Sequence, residues 1–254
     1  MIPLADQLAA LGLRYTAAHL DDVVALATKR RWSTTQLLEH LAESEQQERT
    51  RRSLERRLAR GRIGRFTPMS DFDWAWPKRI DRAAVEAVLR LDFLADARNV
   101  VLVAAQGLGK TMIAQNLAHA AVLTGTHVLF ITAAQLLLDL GGQESTRGLA
   151  RRLNHYASRG LLVIDEIGYL SYDARAADLL FQVVSRRYER RSLVLTTNLP
   201  FSDWPTIFPN AATATALIDR VVHHAEILTI DGDSYRRRVA EAKRKSPRAA
   251  ASES

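Results

Sequence analysis

Two apolar β-type runs about sixty residues apart constrain this chain more than any other feature, because each ends in the kind of turn a phosphate site needs. The first, NVVLVA from Asn99 to Ala104, breaks into AAQGLGKT and then into the amphipathic stretch TMIAQNLAHAAVLTG. Strand, glycine loop and helix in that order make the context of a phosphate-binding loop. Gly107 and Gly109 let backbone N–H groups converge on phosphate oxygens without an intervening Cβ, and the helix start behind them adds partial positive charge. Within Gly107, Leu108, Gly109, Lys110, Thr111 and Met112, the Lys110 ammonium suits a bridge between β- and γ-phosphates. The Thr111 hydroxyl suits Mg²⁺.

The second run, LLVIDE, is a buried-type strand ending in Asp165 and Glu166. Two carboxylates at that end fit a metal-holding Asp165, acting through the ion's water shell, and a Glu166 that polarises an attacking water. A third run, SLVLTTN from Ser192 to Asn198, delivers Thr197 and Asn198 to the same edge of a parallel sheet. Asn198 either orients that water or touches the γ-phosphate, or else makes the turn before Leu199 and Pro200. The nucleotide expected on this arrangement is ATP with Mg²⁺.

Between and around these runs, strand and helix patterns alternate. Helices are expected at Arg82–Ala97, Lys110–Leu123, Ala134–Leu140, Thr146–Ser158, Ala174–Arg190 and Ala214–His224. Strands are expected at Asn99–Ala104, His127–Thr132, Leu161–Asp165, Leu193–Thr197 and Glu226–Ile230. Such alternation predicts an α/β fold, a parallel sheet with helices on both faces and its ligand at the strands' C-terminal edge. Only a short basic tail follows Ile230, so no sizeable C-terminal lid is expected and a neighbouring subunit would cover the nucleotide.

The first 65 residues read as helical throughout: LADQLAALGL, then TAAHLDDVVALATKR, then a long helix opened by a capping box of Ser33 and Gln36. Leu37, Leu38, Leu41, Leu54 and Leu58 are expected to line its seam. Residues 1–65 thus form a small all-helical N-terminal domain, 66–81 an extended linker rich in Pro and aromatic residues, and 82–235 the α/β domain. Residues 236–254 are expected to be a basic, disordered tail. Trp32, Trp74, Trp76 and Trp204 all fall outside the strands, where packing at the domain junction explains them better than stacking on bases. His223 and His224 lack a third ligand at metal-binding spacing, so a helix C-terminal cap explains them.

A net charge of +7 points to a polyanionic partner. From Arg49 to Arg65 the chain carries Arg49, Arg51, Arg52, Arg56, Arg57 and Arg60 among eight arginines, against the single acid Glu55, and this density predicts contact with DNA phosphates. The absence of cysteine excludes disulfides and thiolate metal sites and fits a reducing compartment. No apolar run approaches the roughly 20 residues of a membrane span, so a cytoplasmic protein without membrane contact is expected.

The string FDWAWPKRIDRAAVEAVLRLDFLADARNVVLVAAQGLGKT, with LLVIDEIGYL, TTNLPFSDW and ALIDRVVHHAEILTIDGDSYR, resembles the IstB-type transposition helper ATPases. These are AAA+ proteins related to the DnaC helicase loaders, and the likeness runs from about Leu4 to Arg238. The resemblance implies that Lys110 and Thr111 form the Walker A pair and Asp165 and Glu166 the Walker B pair. It further implies Asn198 as sensor 1, Arg220 as an arginine finger acting on a neighbouring subunit, and Arg236 as a sensor-2-like residue. A surface salt bridge of Arg220 with Asp219 or Glu226 explains that residue equally well on its sequence alone. The chain departs from the family's usual GPPGTGKT in having Ala104, Ala105 and Gln106 before the glycine.

What the resemblance implies as a whole is an ATPase that forms a homo-oligomer on duplex DNA and hands a target site to a partner transposase of the IstA type. Two alternatives remain open at this point: a DnaC-like loader of a replicative helicase, and a non-hydrolysing DNA-architectural protein, which Ala104 in place of glycine keeps in view.

Overall fold

The computed structural model describes residues 2–169 and 171–238. The chain divides between Arg56 and Arg57 into two compact units. In the first, α1 (Leu4–Ala10), α2 (Arg14–Ala18) and α3 (Leu20–Arg30) precede α4 (Thr34–Gly61), whose last five residues belong to the second unit. The second predicted helix is in fact two, interrupted at His19, where φ −118° and ψ 17° leave the helical region. The capping box forms as expected: the Ser33 N–H donates to Gln36 Oε1 at 2.8 Å and the Gln36 N–H to Ser33 Oγ at 3.2 Å. Leu38 departs from its expected place in the seam, since it is 60% exposed.

What α2 lacks is a cap of its own. Its N-cap residue is Leu13, which offers no side-chain acceptor. Glu45, from the middle of α4, fills that role: its Oε2 accepts from the N–H groups of Tyr15 and Thr16, both at 3.0 Å, and from the Thr16 hydroxyl at 3.2 Å. Arg49 donates to its other oxygen at 3.1 Å. Burial pushes the Glu45 carboxyl up, yet the hydrogen bonds from Thr16 and Arg49 together hold it below its ordinary value.

The second unit is built on five parallel strands: β1 (Asn99–Ala104), β2 (Val128–Thr132), β3 (Leu161–Ile167), β4 (Leu193–Thr197) and β5 (Ala225–Ile230). Their order is β2-β3-β4-β1-β5. Near-continuous burial along β1 to β4 fits their apolar runs, as a sheet covered on both faces requires. The helices are α5 (Arg82–Leu89), α6 (Lys110–Leu123), α7 (Ala133–Gly141), α8 (Thr146–Ala157), α9 (Ala174–Arg187) and α10 (Ala211–Val222). One apolar cluster joins the sheet to α7, α8, α9 and α10, and contains the fully buried Trp204.

Two expected elements change. The helix predicted over Arg82–Ala97 stops at Leu89, because Leu91 takes a left-handed φ of 69° and a 3₁₀ turn then buries Phe93. Burial of one aromatic side chain outweighs the helix propensity of the segment. Strand β3 runs on past its predicted end at Asp165, with a bulge: Ile164 pairs with Leu195, but Ile167 with Thr197, leaving one extra residue on β3.

The segment 66–81 is tied to the second unit. Asn116 on α6 accepts from the Met69 N–H at 3.1 Å and donates to the Thr67 carbonyl at 2.9 Å. Arg79 and Asp231 exchange backbone hydrogen bonds of 3.1 and 2.9 Å, fixing this segment beside the chain that leaves β5. Tyr235–Arg238 are helical, so the expected disordered tail does not begin at Arg236; its remaining part, with Lys243, Arg244, Lys245 and Arg248, lies outside the described residues.

Because its folded carboxyl sits low, Glu45 stabilises fully above the ordinary value near 4.5, and that contribution disappears as pH falls through the lower folded value. Glu45→Gln is expected to cost the first unit about 1.5–3 kcal/mol at neutral pH, as for hydrogen bonds to a charged group. Hydrogen exchange at the Tyr15 and Thr16 amides of the full chain measures this; unchanged protection would rule out the capping role.

Candidate functional site

The strand order decides which side chains meet. With β4 between β1 and β3, the C-terminal ends of those three strands lie side by side, and each delivers a different chemical group. β1 leads into the glycine loop and Lys110, β3 carries Asp165 and Glu166 just before its end at Ile167, and β4 ends in Thr196 and Thr197, followed by Asn198.

The loop has room for nothing but glycine at two points. Gly107 (φ 78°) and Gly109 (φ 89°) are left-handed, and an added Cβ would stand 2.2 Å from Ser234 Oγ at the first and 2.5 Å from Phe72 Cε2 at the second. Ala104 has no such demand: it is the buried last residue of β1, outside the positive-φ positions, so its methyl group costs no backbone strain. Lys110, the first residue of α6, donates from Nζ to the carbonyls of Ala104 at 2.6 Å and Ala105 at 2.8 Å. Burial, aided by the nearby Arg236 guanidinium, lowers its pKa from the ordinary lysine value against the pull of Asp165 and Glu166.

Asp165 is 4% exposed and fully engaged. The Thr111 hydroxyl donates to it at 3.0 and 3.3 Å, and the Thr196 hydroxyl donates to its Oδ1. Thr196 Oγ1 in turn accepts from the Glu166 N–H at 2.9 Å. That bond steadies a backbone under strain, for Glu166 has φ 63°, a conformation that costs a non-glycine residue of order 1–3 kcal/mol. The bulge and this twist bury Asp165 and leave the Glu166 side chain exposed.

Two cavities share Gly107, Lys110, Thr111 and Arg236. The smaller, about 80 Å³, adds Glu166, Thr196 and Asn198 and is the polar end. The larger, about 260 Å³, is walled by Phe72, Trp76 and Tyr235 beside Leu108 and Met112. Trp76 is held there by its indole N–H, which donates to the Asp233 carbonyl at 2.7 Å, and Arg238 stacks on it with its guanidinium carbon 4.5 Å from the ring centroid. Trp76, assigned from sequence to the domain junction, is therefore a wall of this cavity.

The residues fit a magnesium nucleotide by two observations. The Thr111 hydroxyl and the buried Asp165 carboxylate, 3.0 Å apart, are the hard oxygen donors that magnesium and its water shell take. Gly107 and Gly109 both hold the left-handed φ of a turn whose backbone N–H groups gather an anion.

Of the residues expected from sequence, Gly107 to Met112, Asp165, Glu166, Asn198 and Arg236 come together. Arg220 does not join them: its guanidinium carbon lies 4.4 Å from the Phe181 ring centroid, and it has no ion pair among the described residues, while Glu226 is taken by Arg98. Thr197, expected at the site, hydrogen-bonds instead to the Leu199 backbone. Thr196 was not anticipated; its only trace in the sequence is a hydroxyl inside an apolar strand.

The arginine run is less free than its density suggests. In the first unit Arg49 pairs with Glu45, Arg51 with Glu48 and Glu55, and Arg52 with Glu48. The single-acid picture fails because Glu45 and Glu48 precede the run by one helical turn. Hydrogen bonding from Arg51, with Arg52 beside it, holds the Glu48 carboxyl down to about 2. In the second unit Arg57 Nε donates to the Val122 carbonyl at 3.2 Å. Arg56 and Arg60 are exposed and have no ion pair among the described residues.

This topology and glycine loop define an α/β P-loop fold of the AAA+ type. Residues 6–244 match the family model described as IstB-like ATP binding protein, and the chain belongs to that family. It is 35% identical over 233 residues to the "Insertion sequence IS232 putative ATP-binding protein" of Bacillus thuringiensis subsp. berliner, covering 92% of this chain and 93% of that protein. Against the "Insertion sequence IS21 putative ATP-binding protein" of Pseudomonas aeruginosa it is 33% identical over 229 residues, 90% and 86% of the two chains. Among solved structures, DnaI superposes with a TM-score of 0.53 at 18% identity over 68% of this chain and 91% of that one. The DnaC helicase loader does so at 0.50, also with 18% identity, over 61% and 93%. At such identity the likeness is one of fold. No helix among the described residues is long and apolar enough to cross a membrane.

Thr196→Val removes a buried hydrogen bond to a carboxylate at nearly constant volume, and is expected to lower stability by about 1.5–3 kcal/mol, with Thr196→Ser retaining most of it. Denaturant unfolding of both variants measures this; a Thr196→Val loss smaller than that of Thr196→Ser would mean that packing, not the hydroxyl, dominates there.

Proposed function

We propose that this chain is a magnesium-dependent ATPase that assembles as a homo-oligomer on duplex DNA and delivers a target site to a partner transposase of the IstA type. The observation that carries the reading is the meeting of Lys110, Thr111, Glu166 and Asn198 around one polar cavity at the sheet edge, with Asp165 hydrogen-bonded behind Thr111 and an aromatic-walled cavity wide enough for a base alongside. That relatives of the chain are insertion-sequence proteins by name supports the transposition role.

Thr111 and Asp165 would hold the metal, and Mg²⁺ when bound supplies charge neutralisation between phosphate oxygens. Lys110 turns from the Ala104 and Ala105 carbonyls to the phosphates, which replace two dipoles with a full negative charge. The loop amides from Gly107 to Thr111 bind phosphate oxygens at the start of α6. Glu166, exposed into the cavity, accepts a hydrogen bond from the attacking water and orients it, with Asn198 across the same space. Arg236 lies in the wall of both cavities and adds positive charge beside Lys110.

Arg220 acts on the cavity of the next protomer, a head-to-tail arrangement that Arg220's position away from its own chain's cavities supports. Phe72, Trp76 and Tyr235 enclose the base. Arg56 and Arg60 lead the contact with DNA phosphates, with Arg49, Arg51, Arg52 and Arg57 contributing where their present partners release them.

Lys110→Ala is expected to abolish binding of a fluorescent ATP analogue. Glu166→Gln keeps that binding while phosphate release falls by roughly 10²-fold or more. Arg220→Ala leaves nucleotide affinity intact and lowers DNA-stimulated hydrolysis by about 10³-fold or more. Equal turnover by wild type and Glu166→Gln would remove the catalytic assignment. Double replacement of Arg56 and Arg60 by Ala should reduce the slope of log affinity for duplex DNA against log salt by about 2, one for each phosphate no longer neutralised. An unchanged slope places the DNA-binding surface elsewhere.

A further inference from the structure

The opposite edge of the sheet carries a second constellation. Helix α9 ends at Arg187 and α10 at Val222, and the residues that follow them bring three ligand-type side chains together: Glu189 after α9, and His223 and His224 after α10. Among the described residues this is the only group of three or more histidines and carboxylates arranged so. His223 Nδ1 stands 3.8 Å and His224 Nε2 3.7 Å from the same oxygen of Glu189, and all three ligand atoms lie within 4.8 Å of one another. A tetrahedral ion at zinc-type bond lengths of about 2.0–2.2 Å separates its ligands by about 3.3–3.6 Å, so each histidine closes on Glu189 by a few tenths of an ångström, and the two histidine nitrogens, within 4.8 Å, by about 1.5 Å at most.

Three further features favour a cation here. Glu189 sits at a left-handed φ of 56°, which holds it in the turn between α9 and β4. The C-terminal ends of α9 and α10 both face the group, and each contributes partial negative charge. The end of α10 is anchored to the sheet start: the Asn99 N–H donates to the His224 carbonyl at 2.8 Å, and the Asn99 amide donates to the Val221 carbonyl at 3.0 Å. Tyr188 lies alongside, its hydroxyl 2.7 Å from His223 Nδ1, where it can pass its hydrogen bond to Glu189 when that nitrogen takes a metal. The spacing in sequence hid all this, because Glu189 precedes His223 by a whole strand and helix.

We propose that Glu189, His223 and His224 form a binding site for a divalent transition metal ion of the zinc class, which fastens the end of α9 to the end of α10. The donor set, two imidazoles and one carboxylate, suits Zn²⁺, Co²⁺ or Ni²⁺ and disfavours Mg²⁺. All three side chains are about half exposed, so the ion keeps at least one water and exchanges with solvent. The site lies at the N-terminal ends of β1, β4 and β5, whereas the nucleotide cavities lie at the C-terminal ends of the strands. It therefore goes beyond the ATPase reading and survives if that reading fails.

The test is titration of the full-length, tag-free protein with Co²⁺ alone, read by visible absorption, and with Zn²⁺ alone, read by calorimetry, in excess Mg²⁺ to occupy the Asp165 site. One equivalent should bind, with Co²⁺ showing the intense bands of a four-coordinate ion. His224→Ala and Glu189→Gln should each weaken binding by about tenfold or more, and Zn²⁺ should raise the Tm of the wild type by a few degrees but not that of either variant. His224→Ala keeps the backbone carbonyl that holds Asn99, so its apo Tm checks folding. Absence of binding, or affinity unchanged in both variants, overturns the site.

Discussion

The Asp165 carboxylate is the point on which the polar half of this molecule turns. It is buried, and it sits where three strands end, so it must be satisfied by hydroxyls that the fold delivers. Thr111 comes from the first turn of α6 and Thr196 from the last residues of β4. Each is fixed by a different backbone element, so together they set the spacing between the phosphate loop, β4 and β3. The same Thr196 oxygen then holds the Glu166 backbone in its left-handed twist. One acid thereby aligns two candidate metal ligands and a candidate base. Such alignment before any ligand arrives is what a phosphoryl-transfer site requires, since positioning and electrostatics supply nearly all its catalysis.

Two cations of the second unit, Lys110 and Arg187, rest on carbonyls where others pair with carboxylates. Lys110 rests on two loop carbonyls. Arg187, 0% exposed, donates to the carbonyls of Tyr156, Ala157, Arg159 and Ser192 at 2.5 to 3.1 Å, with no acid beside it, and burial pushes its pKa down to about 9. The Arg187 contacts close the C-terminal end of α8, where unpaired carbonyls and the helix dipole stand in for a counter-ion. The two cases differ in consequence. Arg187 is locked among groups that cannot leave, whereas Lys110 rests on a loop whose carbonyls lose the competition to any phosphate.

Local patterns carried most of what the sequence made legible. Apolar runs bounded by turns located all five strands, and the capping box at Ser33 and Gln36 located the start of α4, because these signals depend on neighbours a few residues apart. The site's loop and acids were legible for the same reason: glycines, lysine, hydroxyl and carboxylates occupy fixed offsets within two short segments. What stayed hidden depends on contacts distant in sequence. Glu45 caps a helix thirty residues away, Phe93 ends α5 by burying itself, and Thr196 reaches Asp165 only because β4 lies between β1 and β3. The arginine run misleads for a narrower reason. Its acids, Glu45 and Glu48, lie just outside the Arg49–Arg65 window, yet within one helical turn of it.

The two ends of the sheet are asymmetric in a way that bears on how the molecule can move. At the C-terminal edge the groups around Asp165 face open cavities and include side chains, such as Lys110 and Glu166, that have alternatives. At the N-terminal edge Asn99 commits its polar groups to fixed partners: the Leu193 N–H donates to its side-chain oxygen at 3.0 Å, while its side-chain and backbone nitrogens reach Val221 and His224. That buried asparagine joins β1, β4 and the end of α10, so α10 is anchored where β5 begins. Arg220 stands in the last turn of that anchored helix. In the proposed assembly, where Arg220 reaches beyond its own protomer, it gains from such a mount, because an arginine on a mobile loop would spend much of its transition-state stabilisation on being ordered. In the proposed assembly the rigid edge and the adaptable edge are complementary: one would fix what the protomer presents to a neighbour, the other would accept what a neighbour presents to it.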